Sequence, residues 1–220
     1  MTYYIFDLDR TLYDTVKATE LMRGVIALHD TALAAALEQQ FEEYTTQGES
    51  FSMRDFILEN VGEVEMQKIE VKYHTLALQQ DLLNPGAKEL IASIRATAGN
   101  DLGILTYGSP LGQKMKIDAA AGLEEIPYLI TAETYKGALI ASWRQDDERY
   151  HIPEELGSGV FTDIVFVDDK PFSFKGLPID CRGYLVKSVY DAGIEKLPQH
   201  VRLVESLHQV LVAEKARTSV

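Results

Sequence analysis

The chain has 220 residues, 46% of them hydrophobic, a formal net charge of −13, five histidines and a single cysteine. That length supports one sizeable core with a smaller module inserted or appended, while the acidic balance excludes a nucleic-acid binder, whose phosphate contacts need basic groups. Cys181 has no partner for an internal disulfide, no apolar run reaches the roughly 20 residues that span a bilayer, and no basic-then-apolar leader opens the chain, so a cytoplasmic protein with no membrane partner is expected.

Residues 3–7 (YYIFD) read as a buried strand ending on an acid. Side chains two apart in extended backbone share a face, so Asp7 and Asp9 stand side by side. Neighbouring carboxylates repel and seldom ionise together, so the pair calls for catalysis or a metal, with a solvated turn as the plain alternative. Helical patterning follows: Leu33, Leu37, Phe41 and Tyr44 are spaced helically behind Asp30 as N-cap, and Ser52 with Asp55 forms a capping box before FILENV. A further helix is expected from about Val64 to Gln80. Residues 14–81 therefore read as an all-helical module, with Phe41, Tyr44, Phe51 and Phe56 as its own small core.

Asn84-Pro85-Gly86 punctuates the chain, and the helix AKELIASIRATAG leads into apolar GILT at 103–106. Next come a helix to about 121, YLIT at 128–131, a short helix from Lys136, IVFVDD at 164–169, a loop and GYLVK at 183–187. Val201, Val204, Leu207 and Leu211 mark a closing helix. Apolar strands separated by helices imply an α/β fold, a Rossmann-like doubly wound parallel sheet of about five strands covered on both faces. The expected division is a core of residues 1–13 and 82–220 with a helical cap at 14–81.

Ligands of open α/β sheets bind at the carboxyl ends of the strands. Those ends carry Asp7 and Asp9, then Thr106, then Lys136, then Asp168 and Asp169. Lys114 and Lys116 are alternatives to Lys136 as the site's cation. A chain of net charge −13 repels phosphorylated substrates unless a cation reverses the local field, so a metal is expected. The five histidines lack HxxxH spacing and no paired cysteines exist, which argues against zinc. Cys181 reads as a packed thiol.

FDLDRTL, GILTYGS, ITAETYKG and IVFVDD, in that order at strand ends, resemble the four motifs of the haloacid dehalogenase superfamily on its phosphatase side. The resemblance implies that Asp7 is the nucleophile that becomes an aspartyl-phosphate and Asp9 the general acid and base. It further implies that Thr106, Tyr107, Gly108 and Lys136 bind the phosphoryl group, with Lys136 also holding Asp7. Mg²⁺ would bind the Asp7 carboxylate, the Asp9 carbonyl and an acid of the Asp168/Asp169 pair. The function so implied is Mg²⁺-dependent hydrolysis of a small phosphorylated metabolite, with the helical insert selecting the leaving group. Phosphomutase-type transfer and a non-catalytic binding or regulatory protein are the alternatives, whereas dehalogenation is disfavoured by Asp9 and the second acid pair. Two positions depart from the pattern: Arg10 replaces the common glycine after the second acid, and Ser173 and Phe174 stand where a further acid is usual.

Overall fold

The computed structural model describes residues 1–190 and 193–218. In chain order its elements are β1 (Thr2–Phe6), α1 (Thr15–Ala27), α2 (Thr31–Gln47), α3 (Met53–Val61), α4 (Glu63–Ala77), α5 (Ala87–Arg95), β2 (Asp101–Tyr107), α6 (Pro110–Ala119), β3 (Tyr128–Thr131) and α7 (Lys136–Ser142). They continue with β4 (Tyr150–Ile152), β5 (Gly159–Phe161), β6 (Asp163–Asp168), β7 (Arg182–Val186), β8 (Val201–Val204) and α8 (Leu207–Thr218). Among the described residues no helix is long and apolar enough to cross a membrane.

The chain forms two compact units. The first, Met1–Leu12 with Leu83–Thr106 and Ile126–Val220, contains a six-stranded sheet in the order β3-β2-β1-β6-β7-β8. The α/β parallel sheet expected from the apolar runs is thus the fold, with one strand more. β1 lies between β2 and β6 and pairs in parallel with both, Phe6 opposite Ile104 on one side and Val167 on the other. Both faces of this central strand are covered, Tyr4 by Glu214 of α8 and Tyr3 by Leu156 and Phe161, which is why Tyr3, Tyr4, Ile5 and Phe6 are all buried. Asn84 ties down the chain leaving β1: its N–H donates to Leu12 O at 2.8 Å and its Nδ2 to Thr11 O at 2.9 Å. On α8, the buried Glu214 carboxylate accepts from Tyr4 Oη (2.9 Å), Tyr184 Oη (2.7 Å) and the Arg182 guanidinium, clamping the helix to the sheet.

One expectation is corrected. Val201 and Val204 are not on the closing helix but on the edge strand β8, which pairs with β7 from Gly183 opposite Val201 to Val186 opposite Val204. Apolar residues three apart suit one helical turn and a short edge strand alike, and pairing with β7 decides between them. The helix starts at Leu207. A small antiparallel pair, β4 with β5, is also present, turned by Pro153 and the left-handed Gly157 (φ 92°).

The second unit comprises Tyr13–Leu82 and Tyr107–Glu125. Its helices start as their sequences dictate: Asp30 accepts from the amides of Ala32 and Leu33, and Ser52 from that of Asp55. Met22, Ile26, Leu37, Ile57, Met66 and Ile69 supply its buried core. Phe41, Tyr44, Phe51 and Phe56, expected as that core, are instead all half-buried, the Phe51 ring meeting the other three at 5.3 to 6.4 Å. α6 packs with these helices although its sequence lies within the α/β alternation: His74 Nε2 bonds Asp118 O at 2.9 Å, and a Cβ on Gly112 would lie 2.8 Å from Ser52 Oγ.

Candidate active site

The parallel register of the first unit brings its polar strand ends to one edge of the sheet. Asp7 directly follows β1, its N–H donating to Val167 O at 2.9 Å; Thr106 lies on neighbouring β2; Asp168 ends β6 and Asp169 follows it. Lys136 opens α7, whose second residue, Gly137, makes a close approach that only glycine permits. A Cβ there would stand 2.7 Å from Leu177 N and 2.9 Å from Lys175 O. Asp7 is 5% exposed, and Thr106, Lys136, Asp168 and Asp169 are less exposed still.

The Lys136 ammonium donates to Asp7 Oδ1 and, at 2.8 Å, to Asp168 Oδ2. Asp168 Oδ1 accepts from the Lys170 amide at 2.8 Å, so both oxygens of this carboxylate are engaged. Asp169 is the opposite case: both its oxygens are buried without a hydrogen-bond partner, as is Thr106 Oγ1. Buried polar atoms are nearly always satisfied, so these atoms are where a ligand or water would supply what the protein does not. Ligand atoms of Asp7, Asp168 and Asp169 lie within 4.8 Å of one another. Because Asp168 is committed to Lys136 and the Lys170 amide, Asp7 and Asp169 are the carboxylates suited to a hard divalent cation.

The electrostatics follow from burial. Burial pushes Asp7 up to about 7, helped by the Asp168 and Asp9 charges and opposed by the Lys136 ammonium. Burial, with the charges of Asp7 and Asp168, holds Asp169 well above the usual carboxylate range, against smaller opposing effects of Lys170 and Ser188. For Lys136 burial alone would lower the ammonium, but the Asp168 and Asp7 carboxylates outweigh it and keep it above its ordinary value. One fixed cation among several buried acids leaves the site short of positive charge.

Other expected residues fall as follows. The Asp9 side chain is partly exposed and stands outside the carboxylate cluster, though its charge is felt at Asp7. Tyr107 closes β2, and its carbonyl accepts from Gln113 Nε2 at 2.7 Å. Gly108 has φ 146° and leaves too little room for a Cβ, which would lie 2.8 Å from that amide nitrogen. Both Tyr107 and Gly108 belong to the second unit. Lys114 pairs with Asp118 on its own helix at 2.7 Å. Phe174, in the place of the further acid, is fully buried with its ring centroid 4.9 Å from that of Phe166, so this position serves the core. Cys181 is a buried thiol pushed up to about 12 by burial. Arg10 has φ 59°, the left-handed conformation that explains a preference for glycine there. Sequence reasoning passed over Gly137, Ser188 and Tyr190, of which only the Lys-Gly pair leaves a local signal.

No family model matches the sequence, and no curated protein matches it. Solved structures do. A protein of Burkholderia xenovorans described as a haloacid dehalogenase-like hydrolase superposes with TM-score 0.61 at 18% identity, over 94% of this chain and 96% of that one. CbbY of Rhodobacter sphaeroides, solved with phosphate, gives 0.54 at 20% identity over 94% and 95%. YfnB of Bacillus subtilis, bound to magnesium, gives 0.54 at 15% identity over 95% and 96%. The chain therefore has the fold of the haloacid dehalogenase-like hydrolases.

Proposed function

We propose that this protein is a phosphomonoesterase that hydrolyses a small phosphorylated metabolite through an aspartyl-phosphate on Asp7 and depends on Mg²⁺. The observation that carries the reading is the Lys136 ammonium held between Asp7 and Asp168, beside the partnerless Asp169 carboxylate and Thr106 hydroxyl. Neighbours of the same fold solved with phosphate and with magnesium support it.

Asp7, held by Lys136, attacks phosphorus in line; the new Oδ–P bond forms as the ester P–O bond breaks. Asp9 donates its proton to the departing oxygen. It then takes a proton from the water that attacks the aspartyl-phosphate, releasing inorganic phosphate and restoring Asp7. Thr106 donates its hydroxyl to a phosphoryl oxygen, and the Lys136 charge offsets the anion gathered there. Asp7 and Asp169, with the Asp9 carbonyl, would hold Mg²⁺, which when bound neutralises phosphoryl charge. The helical unit takes the role of a cap that chooses the leaving group, and a chain with a single, buried cysteine suits a cytoplasmic setting.

The test is phosphate release from a panel of phosphorylated metabolites with Mg²⁺ and with EDTA, for wild type and Asp7→Asn. Turnover that needs the metal and vanishes in Asp7→Asn is expected. Full turnover in EDTA, or an Asp7→Asn variant at the wild-type rate, overturns the reading.

A further inference from the structure

The two acid turns of the site are joined by a third segment, the loop after β7. Tyr190, half-buried in that loop, has two cations over one ring. Arg10, the residue after Asp9, places its Cζ 5.8 Å from the ring centroid, and Lys170, the residue after Asp169, its Nζ at 4.9 Å. The main chain of the loop makes a second connection: the Tyr190 N–H donates to Ser188 Oγ at 3.2 Å, and the Ser188 hydroxyl donates to Asp169 O at 3.3 Å. One short loop thus touches the neighbour of Asp9, the neighbour of Asp169 and the backbone of Asp169 itself.

Resting on the phosphatase reading, we propose that Tyr190 is a positioning residue that holds the turns carrying Asp9 and Asp169 in one arrangement, through Arg10 and Lys170 on its ring and Ser188 on its backbone. A left-handed arginine persists only where its surroundings over-determine it, and at Arg10 (φ 59°) the ring supplies part of that determination. An aromatic face attracts cations through its quadrupole, so Arg10 and Lys170 are drawn to the same plane. The attraction belongs to the ring and not to the phenol, so phenylalanine serves at this position and leucine does not. Asp9 transfers a proton in both half-reactions, and its effectiveness depends on placement to within a fraction of an ångström.

The experiment compares wild type with Tyr190→Leu, Tyr190→Phe and Ser188→Ala. It reads backbone hydrogen exchange over residues 7–12 and 168–172 without substrate, melting temperature, and kcat and KM with Mg²⁺ on p-nitrophenyl phosphate and on an alkyl phosphate. Tyr190→Leu is expected to melt near wild type and to exchange faster over both segments. It should lose about tenfold in kcat on the alkyl phosphate, whose poor leaving group needs the proton, with little change on the nitrophenyl ester or in KM. Tyr190→Phe restores each quantity. Ser188→Ala speeds exchange over residues 168–172 alone, which keeps the proposal testable if Tyr190→Leu does not fold. Wild-type exchange over both segments in Tyr190→Leu, with an unchanged ratio between the two substrates, overturns the proposal. A wild type that hydrolyses no phosphate ester refutes the phosphatase reading instead, and the exchange comparison still decides whether Tyr190 holds the turns.

Discussion

Lys136 Nζ lies 2.8 Å from Asp168 Oδ2, and the same ammonium reaches Asp7, so one buried side-chain cation ties the end of β6 to the residue that follows β1. Asp168 in this arrangement serves the lysine. Asp169, one residue on, has neither side-chain oxygen hydrogen-bonded and is the proposed ligand of the metal.

Replacing that cation has a definite sign. Burial raises Asp7 to about 7 and the Lys136 ammonium opposes the rise, so Lys136→Gln moves Asp7 higher still. In the proposed mechanism Asp7 attacks ionised, so the acid limb of the kcat/KM profile is expected to shift to higher pH. Each pH unit of displacement lowers the rate on the acid side about tenfold. A pH–rate series at fixed Mg²⁺ checks this; an unmoved limb separates Lys136 from the ionisation of Asp7.

Asp9→Asn is expected to bind substrate with KM nearly unchanged and to lose about 10² to 10⁴-fold in kcat. The loss should be steepest for alkyl phosphates, whose departing oxygen must be protonated, and mildest for nitrophenyl phosphate. Equal losses across a series of leaving groups would remove the general-acid role.

Asp169 stores an instability that the proposed metal role would explain. The folded protein holds the Asp169 proton more tightly than the unfolded chain does. Its contribution to stability is therefore complete below the ordinary value of 3.8 and is lost as pH rises through the higher folded value. In EDTA, Asp169→Asn should be more stable than wild type at pH 8, because the amide carries no buried charge for Asp7 and Asp168 to repel, with the gap closing toward acid pH. Melting curves across pH check the sign, and phosphatase assays should show activity lost in the same variant.

Gly137→Ala is expected to destabilise by about 1–3 kcal/mol, the usual cost of overpacking. The added Cβ meets backbone atoms of Leu177 and Lys175, which cannot swing aside as a side chain would. Because the crowding falls on the residue after Lys136, kcat should drop with stability, read by urea unfolding and steady-state kinetics on the same sample.

What the sequence determines by itself is whatever rests on local chemistry. Helix starts at Asp30 and Ser52 are legible because a cap acts on amides two or three residues away. The polar residues at the ends of β1, β2 and β6 are legible because each follows an apolar run, and the parallel fold makes all such ends meet at one edge. Tertiary structure alone decided the rest. The spacing of Val201 and Val204 fits a helix or a strand, and only pairing with β7 selects the strand. Nothing local separates Asp168 from its neighbour Asp169; the ammonium of Lys136, brought in by α7, divides them into a held carboxylate and an orphan. Residues 107–125 read as part of the α/β alternation, yet α6 buries its face on the helices. The contact between Arg10 and Tyr190 joins opposite ends of the chain, and periodicity carries no information over that separation. Local rules reach one turn or one strand step, whereas burial and electrostatic pairing act between whichever segments the fold brings together.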